Sequence, residues 1–275
     1  MPAPNPLRLV VHGAAGRMGQ RIIACAAADS AGPLSAGWQL VAALERAEHP
    51  RLGVDASTLA GVATAGVVVS DAWTCPADVA IDFSLPGAVD GIAAACVRAG
   101  VPLVVATTGL EPADRRAIER AALEIAVLQS PSMSLAVNIA MDLVGRAATL
   151  LARVGDRSDV EIIECHHRLK EDSPSGTALK FGQIVQDAFG FTRVAHGREG
   201  RPGARPADEI GYHAVRAGDN PGEHTILFGL EGESLSVNVR ATNRDCYARG
   251  ALAAARFLVG KPAGLYSMRD VLGLS

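Results

Sequence analysis

An aliphatic run from Leu7 to Val11 stops at Gly13-Ala14-Ala15-Gly16-Arg17-Met18-Gly19, and an apolar, alanine-rich stretch from Met18 to Ala28 follows at once. No other feature restricts the fold as much. A strand that ends on a glycine and turns directly into a helix is how a parallel α/β sheet presents backbone N–H groups and a helix N-terminus to a phosphate. Glycine is needed where a Cβ would block the approach. The spacing here is G-x-x-G-x-x-G instead of the more common G-x-G-x-x-G. Arg17 adds a cation beside the phosphate position.

The rest of the N-terminal half agrees with a dinucleotide reading. A second strand, Gln39 to Leu44, ends in Glu45-Arg46, 26 positions past Gly19, where such folds place the acid that holds ribose hydroxyls. Glu45 alone would repel a 2′-phosphate, whereas Arg46 could receive one. The pair therefore predicts use of NADH and NADPH alike. A third strand is predicted over Asp78 to Phe83, a helix from about Pro86 to the terminating Gly100, and an uninterrupted apolar strand over Val101 to Ala106. Strands without alternation fit a parallel sheet covered on both faces.

After about Ser130 the pattern changes. Ile139, Leu143, Val144, Ala147, Leu150, Leu151 and Val154 recur at helical steps, and Val160 to His166 reads as a strand. Leu235, Val237, Val239 and Ala241 alternate with Ser236, Asn238, Arg240 and Thr242, and Glu231-Gly232-Glu233 turns Thr225 to Leu230 into this run as a hairpin. Gly197 to Gly222 reads as a long loop interrupted by a short strand near Ile210 to Val215, and Cys246 to Leu258 as a final helix. The predicted fold class is α/β: an N-terminal Rossmann-like, doubly wound parallel sheet plus a C-terminal α+β substrate domain with an open mixed sheet. Residues 1–135, completed by 246–275, are expected to form the dinucleotide domain, and residues 136–245 the substrate domain, to which the resemblance described below adds tetramerisation.

Composition removes several classes. With 26 basic and 29 acidic residues the net charge is −3, so no positive field points to nucleic acid or an anionic membrane. No apolar run approaches the roughly 18 residues of a membrane span. Met1 to Pro6 lacks the basic and apolar regions of a signal peptide, and five scattered cysteines suit a reduced cytoplasmic protein. No metal-ligand spacing is present.

The richest stretch runs from Glu164 to Leu179 and contains His166-His167-Arg168-Leu169-Lys170 and Pro174-Ser175-Gly176-Thr177. It leaves a strand, crosses a polar loop and opens a helix, where small residues and free N–H groups suit a carboxylate. The adjacent cationic and protonatable groups describe a pocket for a small polyanion with a proton donor at hand. Strict alternation would send His166 and His167 to opposite faces, so the strand must break at this pair for both to reach one ligand.

These segments, together with Asp82-Phe83-Ser84, Thr107-Thr108-Gly109, Val215-Arg216-Ala217-Gly218-Asp219 and Gly222-Glu223-His224-Thr225, resemble the 4-hydroxy-tetrahydrodipicolinate (dihydrodipicolinate) reductase family over nearly the whole chain. The resemblance implies an NADH- or NADPH-dependent reductase of a small dicarboxylate, assembled as a homotetramer through the sheets of the substrate domain. It implies catalytic roles for His166 as proton donor or acceptor and for Lys170 as proton donor. Substrate carboxylates would be held by His167, Gly176 and Thr177. Gly13, Ala14, Ala15, Gly16, Arg17 and Met18 would bind the pyrophosphate, and Glu45 and Arg46 the adenosine ribose. Ala106, Thr107, Thr108, Ser130, Pro131, Ser132 and Met133 would line the nicotinamide end. Ala106 stands where the family commonly has glycine, and Ser130-Pro131-Ser132-Met133 replaces a more usual Ala-x-Asn-Phe. A different Rossmann oxidoreductase would share the glycine turn but has no use for His-His-x-x-Lys with Ser-Gly-Thr. A dinucleotide sensor without turnover would keep the fold alone. Of the 26 basic residues only Lys170, Lys180 and Lys261 are lysine, which makes the lysine of the motif conspicuous.

Overall fold

The computed structural model describes residues 5–29, 37–155 and 158–274, so the reading of Met1–Pro4 lies outside the described residues. In chain order the first elements are β1 (Leu7–His12), α1 (Arg17–Asp29), β2 (Trp38–Leu44), α2 (Ala56–Leu59), β3 (Val69–Ser70), β4 (Val79–Asp82), α3 (Val89–Ala99), β5 (Leu103–Val105), α4 (Pro112–Ala122) and β6 (Ala126–Gln129). Then come α5 (Leu135–Val154), β7 (Asp159–His166), α6 (Gly176–Phe189), β8 (Arg193–His196), β9 (Glu209–Arg216), β10 (Glu223–Gly229) and β11 (Ser234–Arg240). The chain closes with α7 (Asp245–Leu258), β12 (Gly264–Tyr266) and α8 (Met268–Leu272). Two compact units result: Met1–Leu135 with Arg244–Ser275, and Ala136–Asn243.

The first unit holds a seven-stranded sheet in the order β12-β6-β5-β4-β1-β2-β3, and every pair in it is parallel. All four residues of β4 and all three of β5 are buried, as apolar strands covered on both faces must be. One core joins α1 and α7 to the sheet through Leu9, Ile22, Ile81, Leu252 and Leu258; the other joins α3 and α4 through Val10, Ile92, Val105 and Ile118. Gly100 ends α3 in the left-handed conformation, with φ 65°. Of the predicted strands, β4 and β5 are trimmed at both ends, β1 and β2 run one residue longer, and β3, β6 and β12 were too short to show a pattern.

The second unit has a five-stranded mixed sheet, β11-β10-β7-β9-β8. β10 is antiparallel to β7 and β11, whereas β9 is parallel to β7 and β8. One sheet face, with Val160, Ile162, Ile226 and Phe228, forms a core with Phe181 and Val185 of α6 and with Val137, Ala140, Val144 and Ala148 of α5. The other face carries Glu161, Ile163, Cys165, Thr225, Ser236 and Asn238.

Two expectations need correction here. Only part of the apolar stripe read on α5 is its buried face: Val144 is buried and Ala147 and Leu151 pack against the core with Val137, Ala140 and Ala148, whereas Ile139, Leu143, Leu150 and Val154 are exposed. With apolar residues on both sides, periodicity alone could not say which stripe meets the sheet. The same 20-residue helix is long and apolar enough by composition to cross a membrane, contrary to the expectation that no run approaches that length. The strand expected within Gly197 to Gly222 is present as the eight-residue β9, and the segment before it is pinned: Arg198 bonds Glu161 and Glu209, and Arg205 bonds Asp159, Glu161 and three backbone carbonyls.

Candidate active site

In the first unit the glycine turn joins the end of β1 to the start of α1. Gly13 has φ 76°, and a Cβ there would lie 2.6 Å from the Phe83 carbonyl oxygen. A Cβ on Gly19 would come within 2.2 Å of the Gly13 carbonyl, so α1 can sit this close to the turn only with glycine there. Gly16 is exposed. The Gly13 and Ala14 N–H groups donate to the Leu44 carbonyl, and the Ala15 N–H donates to Glu45 Oε1 at 3.0 Å. The Arg17 and Met18 N–H groups, at the start of a 13-residue helix, have no partner among the described residues. This turn fits a dinucleotide phosphate: two N–H groups are open, the helix end is positive, and Arg17 is exposed beside it. Glu45 keeps one oxygen for a ribose hydroxyl, and Arg46 is exposed next to it. Gly19→Ala is expected to weaken NADH binding at least tenfold and to cost about 1–3 kcal/mol of stability through overpacking; fluorescence titration and urea unfolding measure the two.

The proposed nicotinamide-side residues are in the same unit. Ala106 and Thr107 are buried just after β5, Thr107 Oγ1 donates to Asp82 Oδ2 at 2.7 Å, and Thr108 is exposed. Ser130 donates to the Ser132 carbonyl at 2.9 Å, and Pro131 is exposed. Met133, only 2% exposed, places its side chain in the apolar core, and its carbonyl lies against Gly250 of α7.

The second unit brings the other set together. Strand β7 does stop at His166, and the next residues turn away: His167 N–H donates to the Asn220 carbonyl and Lys170 N–H to the His167 carbonyl. Val160, Ile162, Glu164 and His166 share the core face of β7, while Cys165 is half-buried on the other. His166 Nδ1 lies 2.5 Å from Glu164 Oε2. The Glu164 side chain is 1% exposed and accepts both terminal nitrogens of Arg216, at 2.7 and 2.8 Å, and the Ser175 N–H at 3.1 Å. Burial pushes the Glu164 carboxyl up, but Arg216 and His166 more than offset this and hold it below the usual carboxylate range. Burial pushes the His166 imidazole down, and Glu164 restores only part of the loss. The ring is therefore neutral near pH 7, with its hydrogen on Nδ1 and a lone pair on Nε2.

Ser175 caps α6 by accepting the Ala178 N–H at 3.2 Å. Its hydroxyl is 3.0 Å from Nε2 of His224, which burial takes to about 4 and so keeps neutral. Gly176 and Thr177 begin this 14-residue helix, and their N–H groups have no partner among the described residues. Lys170 Nζ forms an ion pair with Asp172 Oδ1 at 2.7 Å. The buried Nδ1 of His167 has no partner among the described residues. Glu164 thus ties the histidine to the start of α6. Sequence reading quoted Glu164, Arg216 and His224 without giving them roles. An acid on the core face of an alternating strand, which needs a buried partner, was the available signal.

Comparison with known proteins identifies the family. Residues 7–133 match the family model "Dihydrodipicolinate reductase, N-terminus", and residues 136–272 match "Dihydrodipicolinate reductase, C-terminus". The 4-hydroxy-tetrahydrodipicolinate reductase of Rhodopirellula baltica is 51% identical over 279 residues, covering 98% of each chain. That of Alkalilimnicola ehrlichii is 44% identical, covering 97% of this chain and 99% of the relative. A dipicolinate-bound dihydrodipicolinate reductase from Paenisporosarcina sp. TG-14 has the same fold, with TM-score 0.74 at 24% identity over 96% of this chain and 98% of that one. The parallel dinucleotide-type sheet, the matched family models and the named relatives define a pyridine-nucleotide-dependent oxidoreductase. Within that class, the chain belongs to the dihydrodipicolinate reductase family.

Proposed function

We propose that this chain catalyses the NADH- or NADPH-dependent reduction of 4-hydroxy-tetrahydrodipicolinate to tetrahydrodipicolinate with loss of water, in the diaminopimelate route to lysine. The observation that carries this reading is the buried Glu164, which joins His166 to the first turn of α6 beside Lys170. The first unit takes the dinucleotide through Gly13 to Met18, Glu45 and Arg46, and Ala106 to Thr108 and Ser130 to Met133 line the nicotinamide side. The reduced nicotinamide, when bound, supplies hydride to C4 of the conjugated imine left by loss of water.

The chain's own residues do the remainder. The Gly176 and Thr177 N–H groups and the positive end of α6 hold one carboxylate, and His167 holds the other. The Lys170 ammonium donates the proton that C3 of the enamine requires. Neutral His166, its Nδ1 fixed by Glu164, offers Nε2 as acceptor and relays that proton. Turnover is read from the absorbance of NADH or NADPH, with substrate generated in situ. Absence of turnover with intact NADH binding would favour a sensor.

The chain works in the cytoplasm as a homotetramer joined through the open faces of the mixed sheets. The polar residues Ser236 and Asn238 on β11, with the half-exposed Ile163 beside β10, support such a partner. Ser236→Glu is expected to shift the tetramer to smaller species in light scattering. An unchanged mass would count against this interface.

A further inference from the structure

The order β12-β6-β5-β4-β1-β2-β3 divides between β1 and β4. From β1 the chain builds outward to β2 and β3, then returns to β4 on the opposite side and builds outward through β5 and β6. Open parallel sheets bind their ligands outside the carboxyl ends of the strands at such a divide. Two ionisable residues sit there. His12 is the last residue of β1 and Asp82 the last of β4, and they are paired in register.

Their contacts define what each atom can do. His12 Nδ1 lies 2.7 Å from Asp82 Oδ1, and that oxygen also accepts the Ser84 N–H at 3.2 Å. Asp82 Oδ2 accepts the Thr107 hydroxyl at 2.7 Å. Asp82 is fully buried, so its oxygens must all be used as acceptors, and the hydrogen of a neutral His12 ring is on Nδ1. His12 Nε2 then carries a lone pair and has no partner among the described residues. The side chain is 16% exposed, and Nε2 is not among the atoms sealed from solvent.

The position indicates which half of a dinucleotide would meet that lone pair. His12 immediately precedes Gly13 of the phosphate turn. Glu45, proposed for the adenosine ribose, lies on the β2 side of β1; Asp82 and Thr107 lie on the β4 and β5 side. We propose that His12 is a cofactor-contacting residue, its Nε2 accepting a hydrogen bond from a hydroxyl of the nicotinamide-bearing ribose. Asp82 is the positioning group that fixes the ring and the Thr107 hydroxyl together. This rests on the dinucleotide reading above, but no part of the resemblance assigns His12 a role.

The test is direct binding. NADH, reduced nicotinamide mononucleotide and ADP are titrated against wild type, His12→Ala and His12→Phe, the last keeping ring volume without the nitrogens. One neutral hydrogen bond corresponds to a loss of about threefold to tenfold in affinity. That loss is expected for NADH and the reduced mononucleotide, with ADP unchanged within twofold. Equal weakening of ADP would mean that the turn itself was disturbed and would overturn the proposal, as would unchanged NADH affinity in the Phe variant. Failure of the wild type to bind NADH would instead defeat the dinucleotide reading. Thermal unfolding of each variant separates loss of fold from loss of contact.

Discussion

Lys170→Arg is expected to keep the affinity for dipicolinate within a few-fold and to lower turnover by about 100- to 10,000-fold, the usual worth of a positioned acid. Arginine can preserve the ion pair with Asp172 and attract a dianion, because both depend only on positive charge. It cannot give up a proton at working pH, since the guanidinium is effectively always protonated. Calorimetry with dipicolinate and initial rates with NADH separate binding from chemistry. Turnover within tenfold of wild type would remove Lys170 from the role of acid. Among 26 basic residues only three are lysine, and this substitution asks whether one of those three is required for its chemistry.

The second large effect concerns Glu164. Glu164→Ala removes the partner of His166, of Arg216 and of the Ser175 N–H in one step, leaving a largely buried guanidinium without its counter-charge. Removing one member of such a pair costs about 3–5 kcal/mol. Urea unfolding measures it, and a loss below about 1 kcal/mol would be incompatible with this account. Glu164→Gln keeps the volume and tests the charge. Because the folded carboxyl is held below its unfolded value, its contribution is fully present above the ordinary carboxylate range and is lost as pH falls through the folded value. The stability gap between wild type and Glu164→Gln should therefore be largest near neutral pH and shrink in acid. Turnover should fall as well, since His166 loses the group that fixes its hydrogen on Nδ1.

Much of the molecule could be read from the chain because some positions allow few alternatives. Gly13 and Gly19 are required by backbone conformation and by contacts that exclude a Cβ, and such constraints leave a sequence signature. The uninterrupted apolar strands of the first sheet and the alternation in β11 are similarly direct. The set from His166 to Thr177 was recognisable because cations, hydroxyls and a helix start stand together. Where several packings satisfy one pattern, the sequence was silent. The helix α5 has apolar residues on two faces, and only the sheet decides that Val144 is covered while Leu143 is not. Met133 reads as a ligand-lining residue by position, yet its side chain fills the core beside α7. Glu164 and Arg216 are 52 residues apart, and their pairing depends on the register of β7 with β9, which no local pattern reports. His12 looked like any residue at a strand end until β4 and β5 were set beside it.

The two ends of the chain complete a single sheet. Helix α7 places Leu252, Ala255 and Leu258 in the same core as Leu9 and Ile22, Asp245 bonds Arg21, and β12 pairs with β6. During synthesis, the first 135 residues must therefore wait for a segment more than a hundred residues away to cover the part of one sheet face that α1 leaves open. The mixed-sheet unit is made entirely within that interval from contiguous chain and can be finished first. A chain truncated before Arg244 would keep every strand of the second unit but lack α7 and β12 of the first, and such chains should be strong clients for chaperones that recognise exposed aliphatic surface.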